Sequence, residues 1–259
     1  SGEIITSTSG TSNLRIGENA GDAIASGGNY NVVLGDEAGT AITTGDNNVA
    51  VGYNALATNT TASTNTAVGY QAAYSNQTGV GITAFGANAL YATTASDNCG
   101  IGTDNPGNYA AALESNTTGR FNTAVATGAL GSCTEGDNNT AVGHSAAGSV
   151  TTADACTAVG QNALATNSTS SYNTAVGHDA LTSATGSYNT AIGPRNSGDN
   201  ITSGSKNTII GDFNGNQSGL DIRTSSNNIV LSDGDGNVRQ HTDGINGVTH
   251  WTTNISDSD

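Results

Sequence analysis

The sequence predicts an all-β chain wound into a repetitive parallel β-solenoid, a β-roll of about thirteen coils. Three observations point there: a 17-residue period, a Thr-Ala-Val triplet recurring in register with it, and a composition of small side chains. The clearest copies begin at Asn65, Asn139 and Asn173 and read Asn-Thr-Ala-Val-Gly. With the glycine after the triplet as ruler, the slots fall at Gly17, Gly35, Gly52, Gly69, Gly86, Gly102, Ala126, Gly143, Gly160, Gly177, Gly193, Gly211 and Ser232. Half of the steps are 17 residues and most of the others 16 or 18; the step of 24 from Gly102 to Ala126 marks an insertion of about seven, expected within 106–120.

Each part of a unit has a physical reading. Thr-Ala-Val alternates with period two and is rich in β-branched residues, so it forms a short strand with Thr66 and Val68 on one side and Ala67 on the other. The valines Val68, Val142 and Val176 are expected to point into the core, with the alanines facing a second surface. Gly69, Gly143 and Gly177 end the strands where the chain turns or passes close to a neighbour. Ala-Leu pairs such as Ala55-Leu56 add a second apolar patch, and the Thr, Ser, Asn and Gly between are turn chemistry. Asn65, Asn139 and Asn173 either stack as an amide ladder or tolerate a left-handed turn. A 17-residue unit buries no core alone, but stacked coils do. The organisation read from this is a lead-in at 1–12, a repeat shaft at 13–220 and a C-terminal capping or tip segment at 221–259.

Composition narrows the function classes. The chain is 34% hydrophobic and 10% charged, below the roughly 45–50% and 25% of an average domain. Its net charge is −15 with six cations, so no basic patch exists to neutralise nucleic-acid phosphates. No apolar run approaches the roughly 20 residues of a membrane-spanning helix. A thin core of small residues favours oligomerisation, and three chains about an axis supply the missing surface.

The motif Asn-Thr-Ala-Val-Gly-(Tyr/His)-x-Ala-Leu resembles the repeats of phage tail-fibre shafts and is similar to the head repeats of trimeric autotransporter adhesins. The resemblance covers about 13–211 and implies a homotrimeric fibre, although the period here is longer than in the adhesin pattern. The stretch Asn228-Ile229-Val230-Leu231-Ser232-Asp233-Gly234-Asp235-Gly236-Asn237-Val238-Arg239 resembles the segment ahead of an endosialidase-type intramolecular chaperone, which cuts itself off near a Ser-Asp; this chain ends Ser256-Asp257-Ser258-Asp259. The resemblance implies a structural and adhesive fibre of a virion tail, extracellular, with itself, other tail proteins and a host-surface glycan or protein as partners. The alternatives are the head of a bacterial adhesin and, behind it, a polysaccharide depolymerase tailspike. Ice binding ranks last, because the threonines are expected to face inward.

No enzyme motif is present: no nucleophile elbow, phosphate loop or HExxH, so the chain reads as a non-enzyme without a cofactor. Asp233-Gly234-Asp235-Gly236-Asn237 imitates the start of a calcium loop, but Val238 and Gly244 stand where Gly and Glu are required, and a tight turn is the better reading. His144 and His178 share one slot and read as rim residues. Cys99, Cys133 and Cys156 lack any ligand spacing and read as small buried thiols, with a Cys133–Cys156 pairing conceivable. Receptor contact is expected where the repeat fails. One such place is Tyr109 in the insertion; the other holds Arg239, His241, His250 and Trp251. Trp251 either caps the end of the core or belongs to a binding tip.

Overall fold

A computed structural model describes residues 9–105 and 109–251. Twelve short strands succeed one another at the repeat spacing: β1 (Leu14–Ile16), β2 (Val32–Leu34), β3 (Val49–Val51), β4 (Thr66–Val68), β5 (Thr83–Phe85), β6 (Cys99–Ile101), β7 (Thr123–Val125), β8 (Thr140–Val142), β9 (Thr157–Val159), β10 (Thr174–His178), β11 (Thr190–Arg195) and β12 (Thr208–Ile210). A small hairpin of β13 (Asn216–Gln217) and β14 (Leu220–Asp221) interrupts, and β15 (Ile229–Ser232), β16 (Val238–Thr242) and β17 (Thr249–Trp251) close the order. The described residues contain no helix.

Strands β1 to β12 and then β15 pair in parallel, each with the strand one coil away, so the thirteen coils form one sheet along the rod. Equivalent residues stand side by side: Thr140 beside Thr123 and Thr157, Ala141 beside Ala124 and Ala158, Val142 beside Val125 and Val159. The sheet then reverses, β15, β16 and β17 being antiparallel.

The alternation within each triplet is as expected, but its direction is not. Ala67, Ala141 and Ala175 are fully buried, whereas Val142 is 38% exposed and Val68 and Val176 are half-buried. Phe85, which takes the place of Val in its triplet, is 56% exposed, whereas Phe213 is buried. The cause is thickness. The wall opposite the sheet already fills the interior with Leu56, Leu90, Leu130 and Leu164, leaving room for a methyl group from each strand. Arg15 occupies the inward position of the first strand, where its guanidinium pairs with Asp22 at 2.9 Å and puts a polar lid on that end of the core.

Beyond the strand each coil is a chain of tight turns. In the fourth, the N–H groups of Ala72, Tyr74 and Asn76 donate to carbonyls three residues back, and those of Gln71, Ala73 and Ser75 donate to neighbouring coils. This alternation needs left-handed residues, among them Gln71 at φ 52° and Ala73 at φ 49°. The glycine slot needs more. Gly143 has φ 132°, and a Cβ there would lie 2.6 Å from the carbonyl oxygen of Gly160 on the next coil. Ala126 holds the same slot at φ 104°, the one alanine in it. Relieving that strain outweighs the added freedom of the unfolded chain, so Ala126→Gly is expected to stabilise the protein by roughly 1 kcal/mol. A rise in the thermal midpoint is the check.

The asparagines resolve as a ladder. The backbone N–H of Asn139 donates to Oδ1 of Asn122 at 2.9 Å, and Oδ1 of Asn139 accepts from the N–H of Cys156 at 2.9 Å. Its Nδ2 donates to the carbonyl of Ala153 at 2.8 Å. The same pattern links Asn13, Asn31, Asn48 and Asn65, and further on Asn173, Asn189, Asn207 and Asn228. Where Ile82 replaces Asn, the Thr93 hydroxyl donates to the carbonyl of Ala95; where Cys156 does, its thiol faces the carbonyl of Ser170 at 3.4 Å. A second stitch runs outside: the N–H of Arg120 donates to Asp137, that of Asp137 to Asp154, and that of Asp154 to Ser171, each one coil on.

Candidate functional site

Thirteen strands in register carry two outward columns. One is mostly Thr, with Leu, Val, Cys or Ile in the other coils, from Leu14 through Thr140 to Ile229; the other is Val, Ile, Leu or Phe, from Ile16 through Val142 to Leu231. Neither column contains a charged residue, although the chain carries 27 Asp, Glu, Lys and Arg in all. Ile16, Phe85, Ile192 and Ile210 are each more than 40% exposed. The result is a flat, uncharged, apolar ridge along the rod, of the kind that marks an interaction surface. The threonines face outward with it, so the ground for ranking ice binding last falls away. The apolar column beside them runs from Val to Phe, however, and is not the uniform array that a flat lattice demands.

The sequence-derived contact residues occupy two separate places. Arg239, His241, His250 and Trp251 come together on the β16–β17 hairpin at the C-terminal end. Tyr109 lies at the base of the insertion, with β7 to β15 between it and that hairpin in the sheet. Asn105 bridges to Tyr109, and by Ala112 the coil is back in register, its carbonyl accepting from Leu90; Pro106 lies outside the described residues.

Tyr109 is 47% exposed, and its ring meets His144 edge-on at 4.3 Å between centroids. It forms one wall of a trough of about 370 Å³ whose floor includes Gly131 and Gly148. Position 131 and position 148 correspond to Tyr74 and Tyr91 of earlier coils, which stack at 5.3 Å, so the groove opens because two glycines replace two rings. His144 and His178 sit at the rim, the latter 3.0 Å from the Asp179 carboxylate.

At the C-terminal end Trp251 is 71% exposed, which removes the end-cap reading. Phe213, Ile222, Val230 and Val238 are buried there and cover the core instead. Arg239 pairs with Asp233 at 2.6 Å. Some desolvation opposes ionisation of Asp233, but Arg239 and the N–H groups of Asn237 and Asp235 outweigh it and hold the carboxyl at about 2. Asp233 is thus the hub of a turn, as the failed calcium spacing implied. His241 and His250 stack across β16 and β17 at 6.0 Å, and His250 lies 3.9 Å from Asp243. Beside them is a cleft of about 490 Å³ with Leu220, Ile222 and Ile245 among its lining. Its polar groups are engaged within the protein: Asp221 with Arg223, Asn228 with Ser225, and Asp243 with the N–H groups of Ile245 and Asn246.

The three cysteines are free thiols. Cys133 and Cys156 are buried, and desolvation raises both, Cys133 to about 11. Cys99 is only half-buried, because its slot belongs to the outward threonine column. Among the described residues no three His, Cys, Asp or Glu gather as a metal site, and no helix is long and apolar enough to cross a membrane. The Ser256-Asp257-Ser258-Asp259 ending lies outside the described residues.

The outward ridge is the feature that sequence reasoning missed. A signal for it exists within the chain: the middle position of the triplet stays Ala in most coils, while the third varies from Val to Phe. A position with a size limit faces a packed interior, and one without it faces outward. In comparison with known proteins, the chain matches no family model, no curated protein and no solved structure.

Proposed function

We propose that the chain is the shaft of an adhesive fibre, a virion tail fibre that works as a homotrimer and meets the host surface through its irregular parts. The observation that carries this reading is the uncharged apolar ridge, unbroken over thirteen coils. An interface core is depleted in charge, and a ridge with one identical step per coil is matched along its length by another copy of the same ridge in parallel. Thirteen strands at about 4.8 Å, each about 10 Å across, offer on the order of 1,000 Å² between two copies, within reach of a stable contact. Tyr109 and the Arg239, His241, His250 and Trp251 hairpin are then the places for a host glycan or protein, with other tail proteins joined at the ends. The same ridge would serve the head of a bacterial adhesin, which is the second reading.

The test pairs association with binding. Sedimentation of the wild-type chain is expected to give a trimer. Val142→Asp with Val159→Asp places like charges along the contact and is expected to weaken association by a hundredfold or more while each coil stays folded. A wild-type monomer, or a double variant that remains trimeric, overturns the ridge as interface. Trp251→Ala, and Gly148→Tyr to fill the trough, are expected to reduce binding to host cells without changing the oligomer. Full binding by both places the contact elsewhere.

A further inference from the structure

We propose that the β16–β17 hairpin is an acid-sensitive clasp on the last coil, latched by His241 onto the end of the asparagine ladder. The inference rests on the ladder's end and is independent of the fibre reading. On other coils the Oδ1 of the ladder asparagine accepts the N–H of the next slot, as Asn207 accepts from Asn228 at 2.9 Å. Asn228 is the last ladder residue, because the strand that follows β15 is antiparallel. Its Oδ1 is met by Nε2 of His241 at 3.1 Å. An amide oxygen only accepts, so Nε2 carries the hydrogen and His241 stands in for the missing coil.

The other face of His241 determines how the latch answers to pH. His250, its cross-strand partner, stacks on it at 6.0 Å. Asp243 is the one carboxylate of the hairpin beside the two rings; its Oδ1 is tied to the turn N–H groups of Ile245 and Asn246, and its Oδ2 lies nearer His250. Across the cleft Asp221 is paired with Arg223 at 2.8 Å, and from the last coil Asn227, Asn228 and Ser225 bring no charge. Burial, followed by His250, holds His241 below its ordinary value, with Asp243 pulling the other way. The closed hairpin therefore prefers neutral His241, while the open hairpin takes up a proton near the ordinary value of about 6.5. Closure is at full strength above that pH and weakens as the pH falls through it. Opening lifts Val238 from the buried end of the core.

Amide hydrogen exchange on the full chain, corrected for intrinsic rates, reads the opening of β16 and β17 directly. The opening constant is expected to rise by up to about tenfold per pH unit below 6.5, with the amides of β8 and β9 unchanged. His241→Gln keeps an N–H for Asn228 and cannot titrate, so the slope is expected to vanish. His250→Thr is expected to make it shallower. A flat wild-type profile, or an undiminished slope in His241→Gln, overturns the clasp. Should His241→Gln already be open at neutral pH, the nuclear magnetic resonance titration of His241 in the wild type decides: a value below 6.5 upholds the proposal, and one at or above 6.5 overturns it.

Discussion

Ala141→Asp is expected to cost about 3–5 kcal/mol, while Val142→Asp, one residue on, leaves the coil folded. Ala141 is fully buried between Ala124 and Ala158, with the leucine wall facing it. A carboxylate there has no partner, and even its protonated form is too large for a slot sized to a methyl group. Val142 is 38% exposed, and an aspartate in its place reaches solvent. The pair is measured by denaturant unfolding at a concentration where copies do not associate. Equal losses for the two variants would reverse the assignment of faces.

Asn139→Ala is the second large effect. Asn139 is fully buried, and the change orphans the N–H of Cys156 and the carbonyl of Ala153. Each unpaired buried group costs about 1–3 kcal/mol, so a loss of roughly 2–6 kcal/mol is expected. Asn138 is the built-in control. It is exposed at φ 60° and its side chain takes no part in the ladder, so Asn138→Gly is expected to change stability by less than about 1 kcal/mol. Hydrogen exchange should place the Asn139→Ala defect on the coils either side of it, because in a stacked array each unit contacts only its neighbours.

The period, the parallel register and the strand positions were legible in the sequence, because a 17-residue repeat leaves few alternatives once Thr-Ala-Val is read as a strand. The asparagine slot was legible as structural, and the geometry selects the ladder over the bare left-handed turn: residues such as Asn47 and Asn138, one before the slot, carry the positive φ, while Asn48 and Asn139 carry the hydrogen bonds. The facing of the triplet was not legible from hydrophobicity. Val outranks Ala for burial on any scale, but the interior width is fixed by leucines of the facing wall, such as Leu130, six residues after Ala124 and eleven before Ala141, which a pattern within the triplet does not weigh. The C-terminal residues Arg239, His241, His250 and Trp251 were singled out by their departure from the repeat. Their pairing required the reversal of the sheet after β15, which their spacing does not encode.

The coil-by-coil stacking also has a mechanical consequence. The two ends of the sheet lie at opposite ends of the rod, so a load along the axis pulls on one terminal coil at a time and does not shear the whole sheet. Stretched singly, the chain should let out its coils one by one. Each 17-residue coil should give a step of roughly 55 Å, the extended length less the rise it occupied in the stack. The 24-residue coil between Gly102 and Ala126 should stand out as a single step of roughly 80 Å. The rod would thus behave as a stack of fuses, yielding by instalments under tension while the coils not yet reached keep their form.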